Sequence, residues 1–367
     1  MSYFRENIEK MVGYVPGEQP AAGERVIKLN TNENPYPPSP KALEILQNLD
    51  GEALRRYPDP SATQFRKVVA EVLGLPLDWI IAGNGSDEIL TMILRACVGP
   101  DDTVAYAVPT YVLYRTLTQI QAGRCVEIPY GEDFALPADA LADASAVVTF
   151  VASPNSPSGT TYSIEQLDVL AGRLEGVLVV DEAYVDFADG DCLEIVRGDP
   201  RADARPSGRL SGHRRENVII LRTLSKGYSL AGLRLGFGVA DPAVLEGLWK
   251  VKDSYNVDAV AAAVGSAAFA DQDHKNANAE MVKDSRAKLA EQLTDLGFRV
   301  WPSQANFLLT RPPDGDAERL YQGLKAGGIL VRYFNQQGLD DKLRITVGTD
   351  EQNAALVASL RRLRGKG

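Results

Sequence analysis

The stretch TLSKGYSLAGLRLGF, residues 223–237, sets Lys226 between an apolar run and a glycine-rich turn, with Arg234 eight residues further on. The preceding NVIIL, residues 217–221, reads as a buried strand. Lys226 therefore emerges where a parallel sheet opens onto its ligand crevice. A lysine in that position is either an ion-pair partner or a chemical group, and the rest of the chain has to decide which.

Outward from this stretch, short β-rich runs alternate with helical ones. WIIAGNG, TVAYAVPTY, RCVEIPY, AVVTFVASPNSPSG, VLVVDEAY, NVIILRTLSK and LRLGFGVA are the strand candidates, separated by helix-like segments such as SDEILTMILRACV and SIEQLDVLAGRL. That alternation predicts an α/β fold with a mostly parallel sheet covered by helices on both faces. The large domain is expected over residues 41–260. A long helical region then ends at Gly297, and FRVWPSQANFLLT, GILVRYF and DKLRITVGT surround the helical DAERLYQGLKAG. Residues 261–367 thus read as linking helices and a smaller α+β domain, with residues 1–40 as an arm that joins it. The segment DGDCLEIVRGDPRADARPSGRLSGHRREN, 189–217, reads as a solvated surface excursion between two core strands.

The 367 residues carry a formal charge of −10. A diffuse basic surface for nucleic acid is excluded, so any anion site must be built locally. The N-terminal MSYFRENIEK has no continuous apolar core, and no later run is long enough to span a bilayer. A cytoplasmic protein is expected. Cys97, Cys125 and Cys192 are odd in number and far apart, which indicates neither a disulfide framework nor a zinc site. With His213 and His274 the only histidines, no metal is expected and proton chemistry falls to other residues.

Asp181 ends the apolar VLVV. A carboxylate there needs a partner, which a core ion pair, a helix cap or a ligand would supply. Asn155 in SPNSPSG, Asp181 and Lys226 each follow a strand candidate, so the three can converge on one crevice. AGNGSDEIL adds a glycine turn and a helix start, with Ser86 as the cap and Asp87 and Glu88 in the first turn. Backbone N–H groups at that start suit a phosphate. Arg234, Thr223 and Ser225 complete the cup from the other side. A lysine, a buried carboxylate and phosphate donors are together what pyridoxal phosphate requires, with Tyr111 to stack on its ring and Tyr184 to donate to its phenolic oxygen.

On GYVPGEQP, KLNTNENPYPPSP, RRYPDP, GNGSDE, SPNSPSG, VVDEAY, RTLSKGYSLAGLRLGF and LRITVGT, the chain resembles the fold type I, aspartate-aminotransferase-like superfamily of pyridoxal-phosphate enzymes, and within it the histidinol-phosphate aminotransferase family. The resemblance implies Lys226 as the Schiff-base lysine, Asp181 on the pyridine nitrogen, and Tyr184 and Asn155 on the phenolic oxygen. It places Gly85, Ser86, Ser225 and Arg234 on the cofactor phosphate, with Asp87 beside them and Tyr111 on the ring. Tyr57 is implied to reach the phosphate of a neighbouring subunit, hence a homodimer. Arg344 and Arg332 are assigned to the phosphate of L-histidinol phosphate, Asn155 also to the substrate side, and Tyr14 is expected to close the pocket. The implied reaction moves an amino group to 2-oxoglutarate, giving glutamate. The competing expectations are an aromatic amino acid aminotransferase, a threonine-phosphate decarboxylase, and a cofactor-binding regulator without turnover.

Overall fold

The computed structural model describes residues 2–13, 18–20, 23, 26–198 and 214–364. Its larger sheet has seven strands: β2 (Ile80–Gly83), β3 (Thr103–Val108), β4 (Arg124–Pro129), β5 (Val148–Ala152), β6 (Val177–Asp181), β7 (Val218–Thr223) and β8 (Gly236–Ala240). They lie in the order β2-β8-β7-β6-β5-β3-β4. Strands β3 to β7 are parallel, and β8 runs antiparallel to both β7 and β2.

Why apolar runs form this sheet is visible in β6 and β7. Leu178, Val180, Val218 and Ile220 pack on one side with Phe65, Leu167 and Phe269. Val179, Ile219 and Leu221 pack on the other with Ile89, Tyr114 and Phe150. Successive side chains point to opposite faces, so a strand covered on both must be apolar throughout. The register sets Ala152 beside Asp181 and Asp181 beside Leu221, which brings the C-terminal ends of β5, β6 and β7 to one edge.

A second sheet has the order β1-β11-β12-β10-β9, from β1 (Ile27–Leu29), β9 (Arg299–Val300), β10 (Phe307–Arg311), β11 (Ile329–Tyr333) and β12 (Leu343–Thr346). Strand β1, at the start of KLNTNENP, joins it parallel to β11. Chain leaving β1 then crosses to the larger sheet. The helix Gln272–Asp295 packs on this smaller sheet through Leu289 and Leu293.

One expectation is corrected. The first part of the 189–217 excursion is no surface loop: the helix Leu193–Arg197 buries Leu193, Ile195 and Val196 in the main core. Its apolar residues recur within one helical turn, so the polar flanks concealed a packing element. Beyond residues 199–213, which lie outside the described residues, Arg215 pairs with Asp168 at 2.7 Å and Arg214 with Asp241.

Candidate active site

The edge formed by β5, β6 and β7 opens into a cavity of about 700 Å³ whose walls include Asp181, Tyr184, Lys226, Arg234, Arg332 and Arg344. Lys226 lies three residues past β7. Its Nζ donates to the Thr31 carbonyl at 3.4 Å and stands 5.7 Å from the centre of the Tyr184 ring. Asn34 fixes the peptide around it, donating to the Lys226 carbonyl at 3.1 Å and to that of Gly227 at 3.3 Å. The amine therefore projects into the cavity from an anchored backbone.

Two adjacent acids divide the work at the end of β6. Glu182 is 1% exposed and takes the core ion pair: Arg222 donates to it at 2.8 Å and the Cys192 N–H at 2.6 Å. Asp181, 5% exposed, instead accepts from the Tyr114 hydroxyl at 2.7 Å and from the Ala183 N–H at 3.1 Å. Burial pushes its carboxyl up to about 6, and what holds it down is those two neutral donors. Among the described residues no cation pairs with Asp181, and a buried carboxylate facing a cavity is complementary to a protonated ring nitrogen.

The phosphate cup stands at the start of the helix Ser86–Cys97. Ser86 was expected as its cap, but Gly85 holds that position and no side chain caps the helix. The reason is conformational: Gly85 has φ +78°, and a Cβ there would stand 2.8 Å from the Arg234 guanidinium. Gly236 permits the same close approach from β8, since a Cβ would meet the Ser86 nitrogen at 2.5 Å. Arg234 pairs with Asp87 at 2.8 Å, and Ser225 receives the Thr223 hydroxyl at 3.0 Å. Uncapped helical N–H groups, two hydroxyls and a guanidinium suit a phosphate monoester.

Tyr111 lines the cavity and donates to Asp87 at 3.1 Å. Asn155 is fully buried behind the wall: its amide donates to Ser158 at 3.0 Å, and its carbonyl accepts from Thr110 at 2.7 Å. Tyr57 stands apart from the cavity, 81% exposed and stacked on Tyr255 with ring centres 4.6 Å apart. Tyr14 lies outside the described residues.

Arg332 and Arg344 face one another directly across β11 and β12. Both line the cavity, and both guanidinium groups stand over the Phe334 ring, at 5.3 Å and 5.7 Å. Arg344 also donates to Ser156 and to the Asn30 carbonyl, each at 2.9 Å. Guanidinium groups are forked donors that suit carboxylates and phosphates. Two guanidinium groups thus line the same cavity as the cup.

Sequence reasoning missed Tyr114, Asn32 and Asn34. Tyr114 had a signal, since it lies one turn after Tyr111 and its N–H donates to the Tyr111 carbonyl at 3.3 Å. The two asparagines stood inside a quoted motif, but their partners are more than 150 positions away.

The family model for aminotransferase class I and II matches residues 24–360. Histidinol-phosphate aminotransferase 1 of a Nostoc species is 59% identical over 362 residues, covering 99% of this chain and 98% of that protein. The chain belongs to the histidinol-phosphate aminotransferase family. Another member of that family, from Citrifermentans bemidjiense, is 44% identical over 363 residues, with 99% of each chain covered. The solved histidinol-phosphate aminotransferase of Sinorhizobium meliloti, in complex with pyridoxal-5'-phosphate, superposes with a TM-score of 0.86 at 25% identity, covering 100% of this chain and 99% of that one. The fold is therefore that of the fold type I aminotransferases, and pyridoxal phosphate is the family's cofactor.

Proposed function

We propose that the protein transfers an amino group between L-histidinol phosphate and 2-oxoglutarate in histidine biosynthesis, with pyridoxal phosphate held through Lys226. The observation that carries the reading is the pairing of two anion sites in one cavity. The cup at Gly85, Ser86, Ser225 and Arg234 takes the cofactor phosphate, and the cross-strand pair Arg332 and Arg344 takes the substrate phosphate. Relatives at 59% and 44% identity bear the same enzyme name, which favours this over an aromatic amino acid aminotransferase.

Pyridoxal phosphate supplies an aldehyde that captures amines and a protonated ring that draws electrons from the substrate Cα. The chain does the rest. Lys226 Nζ would hold the cofactor aldehyde and, as a free amine, would be the base placed to take the Cα proton. Asp181 would accept the ring N–H and keep that proton in place; Tyr184 would donate to the phenolic oxygen, with Asn155 behind it shaping the loop. Tyr111 would cover the ring face, while Asp87 orients Arg234 and Tyr111 through its two oxygens. The arginine pair would bind the substrate phosphate.

The working unit is proposed as a cytoplasmic homodimer in which Tyr57 reaches the partner's phosphate cup. Support for this is an aromatic side chain left 81% exposed in RRYPDP. Among the described residues no helix is long and apolar enough to cross a membrane.

The test is a single half-reaction followed by the visible absorbance of the cofactor-loaded protein, with L-histidinol phosphate beside L-phenylalanine. Faster conversion with the phosphate ester is expected. Faster conversion with phenylalanine would reassign the protein to the aromatic enzymes.

A further inference from the structure

Asn32 is 1% exposed and stands at φ +59°, a left-handed conformation that asparagine accepts more readily than most residues. Four hydrogen bonds converge on it. Its N–H donates to Thr346 Oγ1 at 3.0 Å, and the Thr346 hydroxyl returns its own proton to Asn32 Oδ1 at 3.1 Å. Asn306 donates to the Asn32 carbonyl at 2.9 Å. The remaining group, Asn32 Nδ2, donates to Tyr184 Oη at 2.9 Å.

The directions follow from what each group is able to do. A backbone N–H only donates, so Thr346 must accept it and has one proton left to give. That proton goes to Oδ1, which turns the amide nitrogen toward Tyr184. With the amide reversed, Thr346 would accept from both Asn32 groups and its buried hydroxyl proton would lose this acceptor. An amide N–H also only donates, so Tyr184 Oη accepts from Asn32 and its own proton is directed elsewhere. The charged groups around the phenol are Lys226, whose Nζ stands 5.7 Å from the ring centre, Asp181 across the cavity, and Arg344, which lies over the Phe307 ring that packs edge-on against Tyr184.

We propose that Asn32 is a positioning residue that directs the Tyr184 phenol proton into the cavity, onto the phenolic oxygen of the cofactor. The proposal rests on the reading of the site as a pyridoxal-phosphate centre held by Lys226. It extends that reading to the smaller sheet. Thr346, which orients the Asn32 amide, lies two residues after Arg344 on β12, and residues two apart on a strand share a face. Asn30 accepts from Arg344 and Asn32 from Thr346, so the segment that binds the tyrosine runs along the face that carries the substrate arginine.

Asn32→Gly tests this, because glycine accepts the left-handed backbone and removes the side chain that carries the amide. The readout is the pH titration of the visible absorbance of the cofactor-loaded protein. A donor on the cofactor's phenolic oxygen favours its deprotonated form, so weakening that donor moves the midpoint up, by about half a unit to one unit. Tyr184→Phe should move it further in the same direction, and Asn32→Gly in the Tyr184→Phe background should add nothing. Thr346→Val, which removes the hydroxyl that orients the amide, should give a smaller shift of the same sign and serves if the glycine variant does not fold. Equal shifts from Asn32→Gly with and without the Tyr184 hydroxyl would overturn the proposal, as would no shift where Tyr184→Phe gives one. A wild-type protein with no lysine-bound absorbance band would overturn the cofactor reading itself, and this proposal with it.

Discussion

The C-terminal edge of the larger sheet and the β11–β12 pair of the smaller one both supply charge to the same cavity, but they do so by different means. At the larger sheet each functional residue follows its own buried strand, and the parallel register alone brings Asp181 and the segment leading to Lys226 to one edge. At the smaller sheet two arginines are set opposite each other by an antiparallel register, and both line the cavity wall. On the proposed reading, the first arrangement holds the cofactor. The second binds the substrate phosphate.

The largest expected effect removes the first arrangement outright. Lys226→Ala should lower turnover by on the order of 10⁴-fold or more, since both the covalent anchor and the base are lost. Steady-state assay with L-histidinol phosphate, beside the absorbance of the loaded protein, checks it. Retained turnover would mean that the amine is not the chemical group.

Asp181→Asn sharpens the contrast through pH. In cofactor-free protein the carboxyl sits at about 6 against an ordinary 3.8, so the folded chain keeps a proton that the unfolded chain has released between those values. Stability therefore falls as pH rises through that window, by on the order of 3 kcal/mol, and the loss persists above it. The asparagine variant lacks this slope, so its stability relative to wild type should rise between about pH 4 and pH 7 in denaturant titrations. A difference that stays flat across the window would show that Asp181 is not the group responsible. Cofactor affinity should fall in the same variant, because a neutral amide no longer complements the ring N–H.

A smaller effect is expected from Tyr114→Phe. The Tyr114 hydroxyl helps hold Asp181 down, so its loss should push the carboxyl further up and move the stability slope about one unit to higher pH. An unchanged slope position would place Tyr114 in the packing alone, where it is stacked on Phe150 at 4.5 Å.

This contrast also explains what could be read from the sequence. All seven runs named as strand candidates of the larger sheet contain its strands, because a strand buried on both faces must be apolar and because the functional residues follow directly in sequence. That Lys226, Asp181, Arg234 and Tyr184 meet at one cavity was legible for that reason. The three-residue β1 was not, since IKL carries no periodicity and is a strand through its pairing with β11, some 300 positions away. Nor was the opposition of Arg332 and Arg344, which is a property of register. The ion pair considered for Asp181 belongs to its neighbour Glu182, and a one-residue step along a strand is a change of face that composition does not reveal.

The most direct test of two separate anion sites is a comparison of half-reaction rates for wild type and Arg344→Gln, each with L-histidinol phosphate and with L-histidinol. Arg344→Gln should cost on the order of 10²-fold with the phosphate ester and little with the alcohol, leaving the absorbance of the loaded protein unchanged. Equal losses with both substrates would contradict the assignment of the arginine pair to the substrate phosphate.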